Sequence, residues 1–105
     1  MGNPMTGDGG GFENPKDALK KDILGDIRTY VERHATFQGG AILERVGDHL
    51  RASTNFANKG SIVEAERMLQ DADAQIDRLN EQDRDTESVG VEAIKEKIRR
   101  LATMQ

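Results

Sequence analysis

Hydrophobic positions between residues 62 and 79 recur at alternating steps of three and four. The set comprises Ile62, Ala65, Leu69, Ala72, Ile76 and Leu79. This spacing predicts an amphipathic helix with a heptad-like seam, on which the two alanines would let another helix approach closely. A second seam with the same spacing follows at Ile94, Ile98 and Leu101. We predict that both seams pack against partner helices, and the sequence leaves open whether these belong to the same chain or to another.

Two further helix patterns precede the first seam. Asn14 followed by Pro15 predicts the start of a helix with a wide apolar stripe, because Asn caps free amides and Pro suits the first helical position. A second helix is expected over residues 41 to 58, with fraying or a break near residues 52 to 56 where helix propensity is low. Gly60 predicts a left-handed stop after this helix.

The two seams lie on the third and fourth predicted helices. Ser61 to Glu64 has the sequence of a capping box, in which each side chain satisfies a backbone amide at the start of a helix. We expect this third helix to run for about 22 residues, until the polar stretch at residues 80 to 85 ends it. Thr86 or Ser88 is expected to cap the fourth helix.

The first thirteen residues differ from the rest of the chain. Residues 1 to 13 are rich in glycine and poor in apolar side chains, so they are expected to form a flexible arm. Residues 14 to 105 are expected to form a single helical domain, since the chain length suits one domain. We predict an all-α protein, either a small antiparallel helical bundle or a set of helical hairpins with coiled-coil-like seams.

Charge and composition restrict the function further. The net charge is −4, and residues 61 to 90 carry nine acidic and three basic side chains. This acidic segment would repel DNA, so nucleic acid is not the expected partner. The absence of cysteine excludes disulfides and thiolate metal sites. With neither a signal-like N-terminus nor a long apolar run, the expectation is a cytoplasmic protein without a membrane span.

Candidate chemistry is sparse. The two histidines, His34 and His49, lack the partners that a metal site needs, and His34 is expected on the apolar stripe of the first helix. Asp71, Asp73 and Asp77 superficially resemble the start of a calcium loop, but the glycine and the final acid of that loop are missing. No spacing brings a nucleophile beside a base, so we expect neither enzymatic activity nor a cofactor.

The segment from residue 42 to 56 suggests an alternative function. A glycine follows Val46 where a helix-turn-helix motif would turn, and Arg51, Ser53 and Asn55 would then offer polar side chains to DNA. This alternative requires all three side chains to be exposed on one face. The preferred hypothesis remains a protein-protein interaction or assembly protein, an oligomeric structural, adaptor or small inhibitory factor. Its seams would bind a protein partner or a second copy, and a homo-oligomer is expected.

Overall fold

The structure is a computed structural model that describes residues 14–34, 40–79 and 81–104. It contains four helices: α1 (Pro15–His34), α2 (Gly40–Asn58), α3 (Ile62–Ile76) and α4 (Glu81–Ala102). No strand occurs in these ranges, and the prediction of an all-α protein is confirmed. The predicted flexible arm, residues 1 to 13, lies outside the described residues.

Two predicted helix boundaries are confirmed in atomic detail. Asn14 precedes α1, and its side-chain Oδ1 accepts a hydrogen bond from the Lys16 amide at 2.8 Å. Gly60 follows α2 with a φ of 79°, a left-handed conformation that glycine adopts without a Cβ penalty. The Ser61 amide then donates to the Phe56 carbonyl at 2.9 Å, which closes the end of α2 in the Schellman arrangement.

Other local predictions are wrong. Ser61 precedes α3 but makes no side-chain capping hydrogen bond, so the expected capping box does not form. The break expected near residues 52 to 56 is absent, because α2 continues unbroken to Asn58. Two of the low-propensity residues in this stretch, Ser53 and Thr54, are fully buried. Tertiary packing therefore overrides their weak helix propensity.

The boundary between α3 and α4 lies earlier than expected. α3 ends at Ile76, and α4 begins at Glu81 within the stretch that was expected to be a loop. Thr86 and Ser88 consequently lie inside α4 and do not cap it. The acidic residues in this stretch favour a helix N-terminus, where the helix dipole is positive.

Helices that follow one another in the chain run antiparallel, as the contacts of Gly47, Ser53 and Lys95 with the preceding or following helix show. α2 and α4 contact each other and both remaining helices, whereas α1 and α3 share no contact in the described parts of the chain. A hydrogen bond from Ser53 to the Ala65 carbonyl joins α2 to α3 on either side of their short turn. α4 packs antiparallel to α3, since Lys95 pairs with Asp73 and Arg99 pairs with Glu66.

One hydrophobic core lies between the four helices. Gly47 brings α2 close to α1, because a Cβ built at this position would stand 2.5 Å from the Val31 side chain. The core comprises Ile23, Ile27, Tyr30, Leu43, Val46, Leu50, Ala57, Ala65, Leu69, Ala72, Ile76, Leu79, Val91, Ile94, Ile98, Leu101 and Ala102. Core residues come from all four helices, so each helix depends on the others for burial.

Candidate partner-binding groove

The residues predicted to form partner-binding seams lie mostly inside the chain. Eight of the nine are buried in the core: Ala65, Leu69, Ala72, Ile76, Leu79, Ile94, Ile98 and Leu101. Ile62 is the exception, with 52% of its surface exposed at the start of α3. These eight side chains pack against helices of their own chain.

The basic segment of α4 is also engaged within the chain. The nearly buried Lys95 donates to both carboxylate oxygens of Asp73, at 2.8 and 3.1 Å, and to Glu92 at 2.6 Å. Burial lowers the pKa of Lys95, but its hydrogen bonds to these two carboxylates outweigh that effect, so the pKa lies above the ordinary lysine value. Lys95 therefore joins α4 to α3 as a cation.

Two further cations extend this set of ion pairs. Lys97 reaches α1, where its Nζ lies 2.8 Å from Asp22 and 2.6 Å from Asp26, and these hydrogen bonds raise its pKa. Arg99 donates to both oxygens of Glu66 on α3, at 3.0 and 3.3 Å. The three cations hold α4 against α3 and α1, so they are already paired with carboxylates and are poorly placed to contact phosphate.

Tyr30 and Glu87 make a second polar contact between α1 and α4. Both residues are buried, and the Tyr30 hydroxyl lies 3.5 Å from the Glu87 carbonyl oxygen. Burial raises the pKa of Tyr30 far above its usual value, and the charge of Glu87 raises it further. The phenol therefore remains protonated, which suits a structural contact and not a catalytic base.

The helix-turn-helix alternative does not agree with the geometry of α2. The helix runs without a turn through Gly47. Ser53 is fully buried, with its hydroxyl donating to the Ala65 carbonyl at 2.7 Å, and Arg51 donates to Asp48 at 2.9 Å. Of the three proposed DNA-contacting residues, Asn55 is exposed, Arg51 is half-buried and Ser53 is buried. The expected exposure of all three on one face is wrong, because Ser53 faces α3.

The described residues show no grouping that suits a metal ion. No set of three or more His, Cys, Asp or Glu side chains converges there. His49 is half-buried on α2, and the side chain of His34 lies outside what the structure describes. Asp73, part of the superficial calcium pattern, is paired with Lys95. Nor does any helix in the described ranges have the length and apolarity that a bilayer crossing requires.

An open groove lies between α1 and α2 on the outside of the molecule. Its volume is about 490 Å³, and its lining consists of Lys21, Leu24, Gly25, Arg28 and Arg51. The half-buried Leu24 packs against the core from this side and gives the groove an apolar floor. Three of the five lining residues are cationic, on a chain whose net charge is negative. The groove therefore combines an apolar floor with a basic rim.

Two of the groove cations, Arg28 and Arg51, make ion pairs at the surface. Arg28 lies 3.9 Å from Glu32, and both side chains are more than 70% exposed. Arg51 is 2.9 Å from Asp48, whose side chain is 75% exposed. Such surface pairs contribute about 0 to 1 kcal/mol and are easily exchanged. Arg28 and Arg51 can thus turn toward a bound partner at little energetic cost.

Two glycines lie near the contact between α1 and α2, Gly25 on α1 and Gly47 on α2. Gly47 is explained by packing, because its missing Cβ makes room for Val31. Gly25 is exposed in the groove, and a Cβ built there would meet nothing within 4 Å. A glycine inside a helix costs about 1 kcal/mol relative to alanine. Packing among the described residues therefore gives no reason for glycine at position 25.

A second groove lies between α1 and α4. Its volume is about 260 Å³, and it is lined by Asp26, Thr29, Tyr30, Arg33, Gly90, Ala93 and Ile94. Its rim carries one acid and one base, and Gly90 is explained by the Tyr30 ring, which would lie 3.1 Å from a Cβ. This groove is smaller than the α1–α2 groove, and its lining carries charges of both signs.

Two features of the sequence point to the α1–α2 groove. Gly25 interrupts an otherwise good helix pattern, and Lys21 and Arg28 stand seven residues apart on one helical face. Neither signal identifies a groove without knowledge of which helix lies beside α1. A comparison of the chain with protein families, with curated proteins and with solved structures gives no match. The functional argument therefore rests on this geometry.

Proposed function

We propose that the chain is a non-catalytic protein-binding domain whose α1–α2 groove binds an acidic helix of a partner protein. The observation that carries this proposal is the convergence of Lys21, Arg28 and Arg51 around the floor formed by Leu24 and Gly25. An amphipathic helix binds such a groove by placing its apolar face on the floor. Acidic residues beside that face would then meet the cations of the rim.

In this proposal the heptad seams stabilise the fold and do not bind the partner. Their residues, such as Leu69 and Ile98, are fully buried, so they hold the four helices together. Lys95 and Arg99 add ion pairs between α3 and α4. A binding site on a rigid pair of helices keeps its side chains in place better than a site on loops. The seams thus support the groove from inside.

Carboxylates beside the groove favour a protein partner over a nucleic acid. Glu32 and Asp48 each lie next to a groove cation, at the distances given above. A nucleic acid carries a continuous line of negative charge and would meet these two carboxylates as well as the cations. A helix with single, spaced acidic residues can contact the cations and avoid the carboxylates. The proposal therefore names a protein as the partner.

The expected homo-oligomer loses its main argument. That expectation depends on apolar seams that are open to a second copy of the chain. Those seams are buried within the chain, and the large hydrophobic side chains exposed in the described ranges are Ile62, Val63 and Val89. We therefore propose a partner of different sequence, and sedimentation of the protein alone tests whether a second copy binds.

The test uses a synthetic acidic peptide as the probe. The peptide has about 15 residues, is stapled to keep it helical, and carries leucine and alanine on one face with glutamate beside it. Its affinity is measured by fluorescence anisotropy for the wild type and for the double variant Lys21→Glu/Arg28→Glu. We expect the double variant to bind about tenfold or more weakly, since two attractive contacts become repulsive.

A matched control separates groove binding from general attraction. Arg45 on α2 and Arg67 on α3 are exposed and lie outside the groove lining. The variant Arg45→Glu/Arg67→Glu changes the net charge by the same amount and should retain nearly wild-type affinity. If both double variants lose affinity equally, or if the wild type binds no acidic helix, the proposed function is wrong.

A further inference from the structure

We infer that the groove selects a helix with two acidic residues seven positions apart and a small residue between them, placed against Gly25. This inference rests on the proposed function and specifies the partner's sequence pattern. It uses the positions of Lys21 and Arg28 and the open space at Gly25. Leu24 supplies the apolar contact beside the glycine.

The spacing of the two acids follows from helix geometry. Lys21 and Arg28 are separated by seven residues on α1, which places them on the same face and about 10.5 Å apart along the axis. A second helix that lies along the groove has the same rise per residue. Acidic residues at positions i and i+7 of that helix therefore stand opposite the two cations at once. Acids five positions apart point to different faces and can meet only one of them.

Gly25 specifies what stands between the two acids. It lies between Lys21 and Arg28 in the sequence and is exposed in the groove lining. Without a side chain at this position, another helix can approach α1 more closely than the usual separation of packed helices. Close approach requires a small residue on the incoming helix as well, such as glycine, alanine or serine. The unexplained glycine thus becomes the contact point of the proposed complex.

The cation on the opposite wall makes the groove asymmetric. Arg51 belongs to α2, whereas the other two cations belong to α1. A helix that satisfies Lys21 and Arg28 with one edge turns its other edge toward Arg51. An acidic residue on that edge would add a third ion pair in competition with Asp48, which now accepts from Arg51 at 2.9 Å. The favoured partner therefore carries acids on both edges of its apolar face.

Two stapled peptides of identical composition test the acid spacing. One carries glutamates at i and i+7 with alanine between them, and the other carries them at i and i+5. Fluorescence anisotropy with the full-length protein should show about tenfold tighter binding of the i,i+7 peptide, which corresponds to one additional ion pair in a partly desolvated groove. Equal affinities that both depend on Lys21 and Arg28 would overturn the inference and leave the proposed function standing. Binding that ignores both cations would overturn the two together.

The variant Gly25→Ala tests the close approach with two opposite readouts. Alanine should raise the thermal stability of the free protein, because it favours the helix and meets no neighbour. The same variant should bind the i,i+7 peptide several-fold more weakly, since the added methyl group holds the incoming helix away. Thr29→Ala is the control, because it raises helix propensity at an exposed position outside the α1–α2 groove. Unchanged affinity in Gly25→Ala would overturn the inference.

Other occupants of the groove would be detected by the same proteins. Sedimentation that shows a wild-type dimer, absent in Lys21→Glu/Arg28→Glu, would identify a second copy as the occupant. Duplex DNA that displaces the i,i+7 peptide at equal concentration would identify a polyanion site. Either result would overturn the inference, whereas a monomer that DNA does not displace supports it.

Discussion

Two sets of cations on this chain have similar sequence surroundings and different structural environments. Lys95, Lys97 and Arg99 on α4 meet carboxylates of neighbouring helices at hydrogen-bond distance. Lys21 and Arg28 on α1 instead line an open groove. The three α4 cations therefore hold neighbouring helices together. The two α1 cations lie where a bound partner can reach them.

The same contrast applies to the two glycines of the α1–α2 contact. Gly47 lies where α1 and α2 touch, and Gly25 is exposed in the lining of the groove. Packing among the described residues requires glycine at position 47 and does not require it at position 25. We therefore expect substitutions on the packed side to change stability, and substitutions in the groove to change binding.

Lys95→Ala should have the largest effect on stability. The substitution removes the packed stem of a buried lysine and leaves Asp73 and Glu92 without their shared cation. We expect a loss of about 2 kcal/mol in the free energy of unfolding, below the range for fully buried pairs because both carboxylates are about half exposed. Urea denaturation measures this loss. Lys97→Ala, at a more exposed position, should lower the free energy of unfolding by less. Equal losses in the two variants would contradict this expected order.

Alkaline pH should weaken the contacts of α4 with both α3 and α1. The folded-state pKa values of Lys95 and Tyr30 both lie above their ordinary values. A raised folded pKa stabilises the fold below the unfolded-state pKa, and this contribution is lost as the pH rises through the folded value. We expect the free energy of unfolding to fall as the pH is raised from about 9 to about 11, where lysine and tyrosine ordinarily titrate. The double variant Lys95→Met/Tyr30→Phe should show a shallower fall, and an identical slope would contradict this assignment.

Alanine at the two glycines should shift stability in opposite directions. Gly47→Ala forces the stiff Val31 side chain to move, so we expect a net loss of about 1 kcal/mol after the gain in helix propensity. Gly25→Ala should gain up to about 1 kcal/mol, because its Cβ meets nothing. Thermal denaturation of both variants measures the two shifts. A loss of stability in Gly25→Ala would mean that the groove is closed in solution.

Charge reversal in the groove should have the smallest effect on stability. Lys21 and Arg28 are exposed residues of α1. We expect Lys21→Glu/Arg28→Glu to change the free energy of unfolding by no more than about 0.5 kcal/mol, as is usual for surface substitutions. Urea denaturation of this variant and of the control Arg45→Glu/Arg67→Glu checks this value. A loss as large as that of Lys95→Ala would show that the groove cations stabilise the fold.

The sequence predicted the positions of the helices better than it predicted which groups surround each side chain. The three-four spacing from Ala65 to Ile76 identified the buried face of α3, because burial follows helical periodicity. Asn14 and Gly60 identified two helix boundaries through local backbone chemistry. The start of α4 at Glu81 was missed, since the polar residues there are compatible with either a loop or the first turns of a helix.

The site was harder to predict, because it depends on which helices become neighbours. Lys21 and Lys95 are both lysines in helical segments, and only the fold shows that one lines a groove and the other is buried. The sequence predicts Ser53 as a polar surface residue, whereas in the structure it is buried against α3. Ile62 belongs to the seam by spacing, but its position at the helix start leaves it half exposed. Such differences arise from tertiary contacts that periodicity does not encode.

The most direct test of the account is a map of amide chemical shifts by nuclear magnetic resonance. The i,i+7 acidic peptide is titrated into the isotope-labelled full-length protein, and the shift changes are assigned by residue. The account predicts the largest changes over residues 21 to 28 of α1 and around Arg51 of α2, with small changes near Lys95, Lys97 and Arg99 of α4. Changes centred on the α4 cations, or spread evenly over the surface, would contradict the proposal that the α1–α2 groove is the binding site.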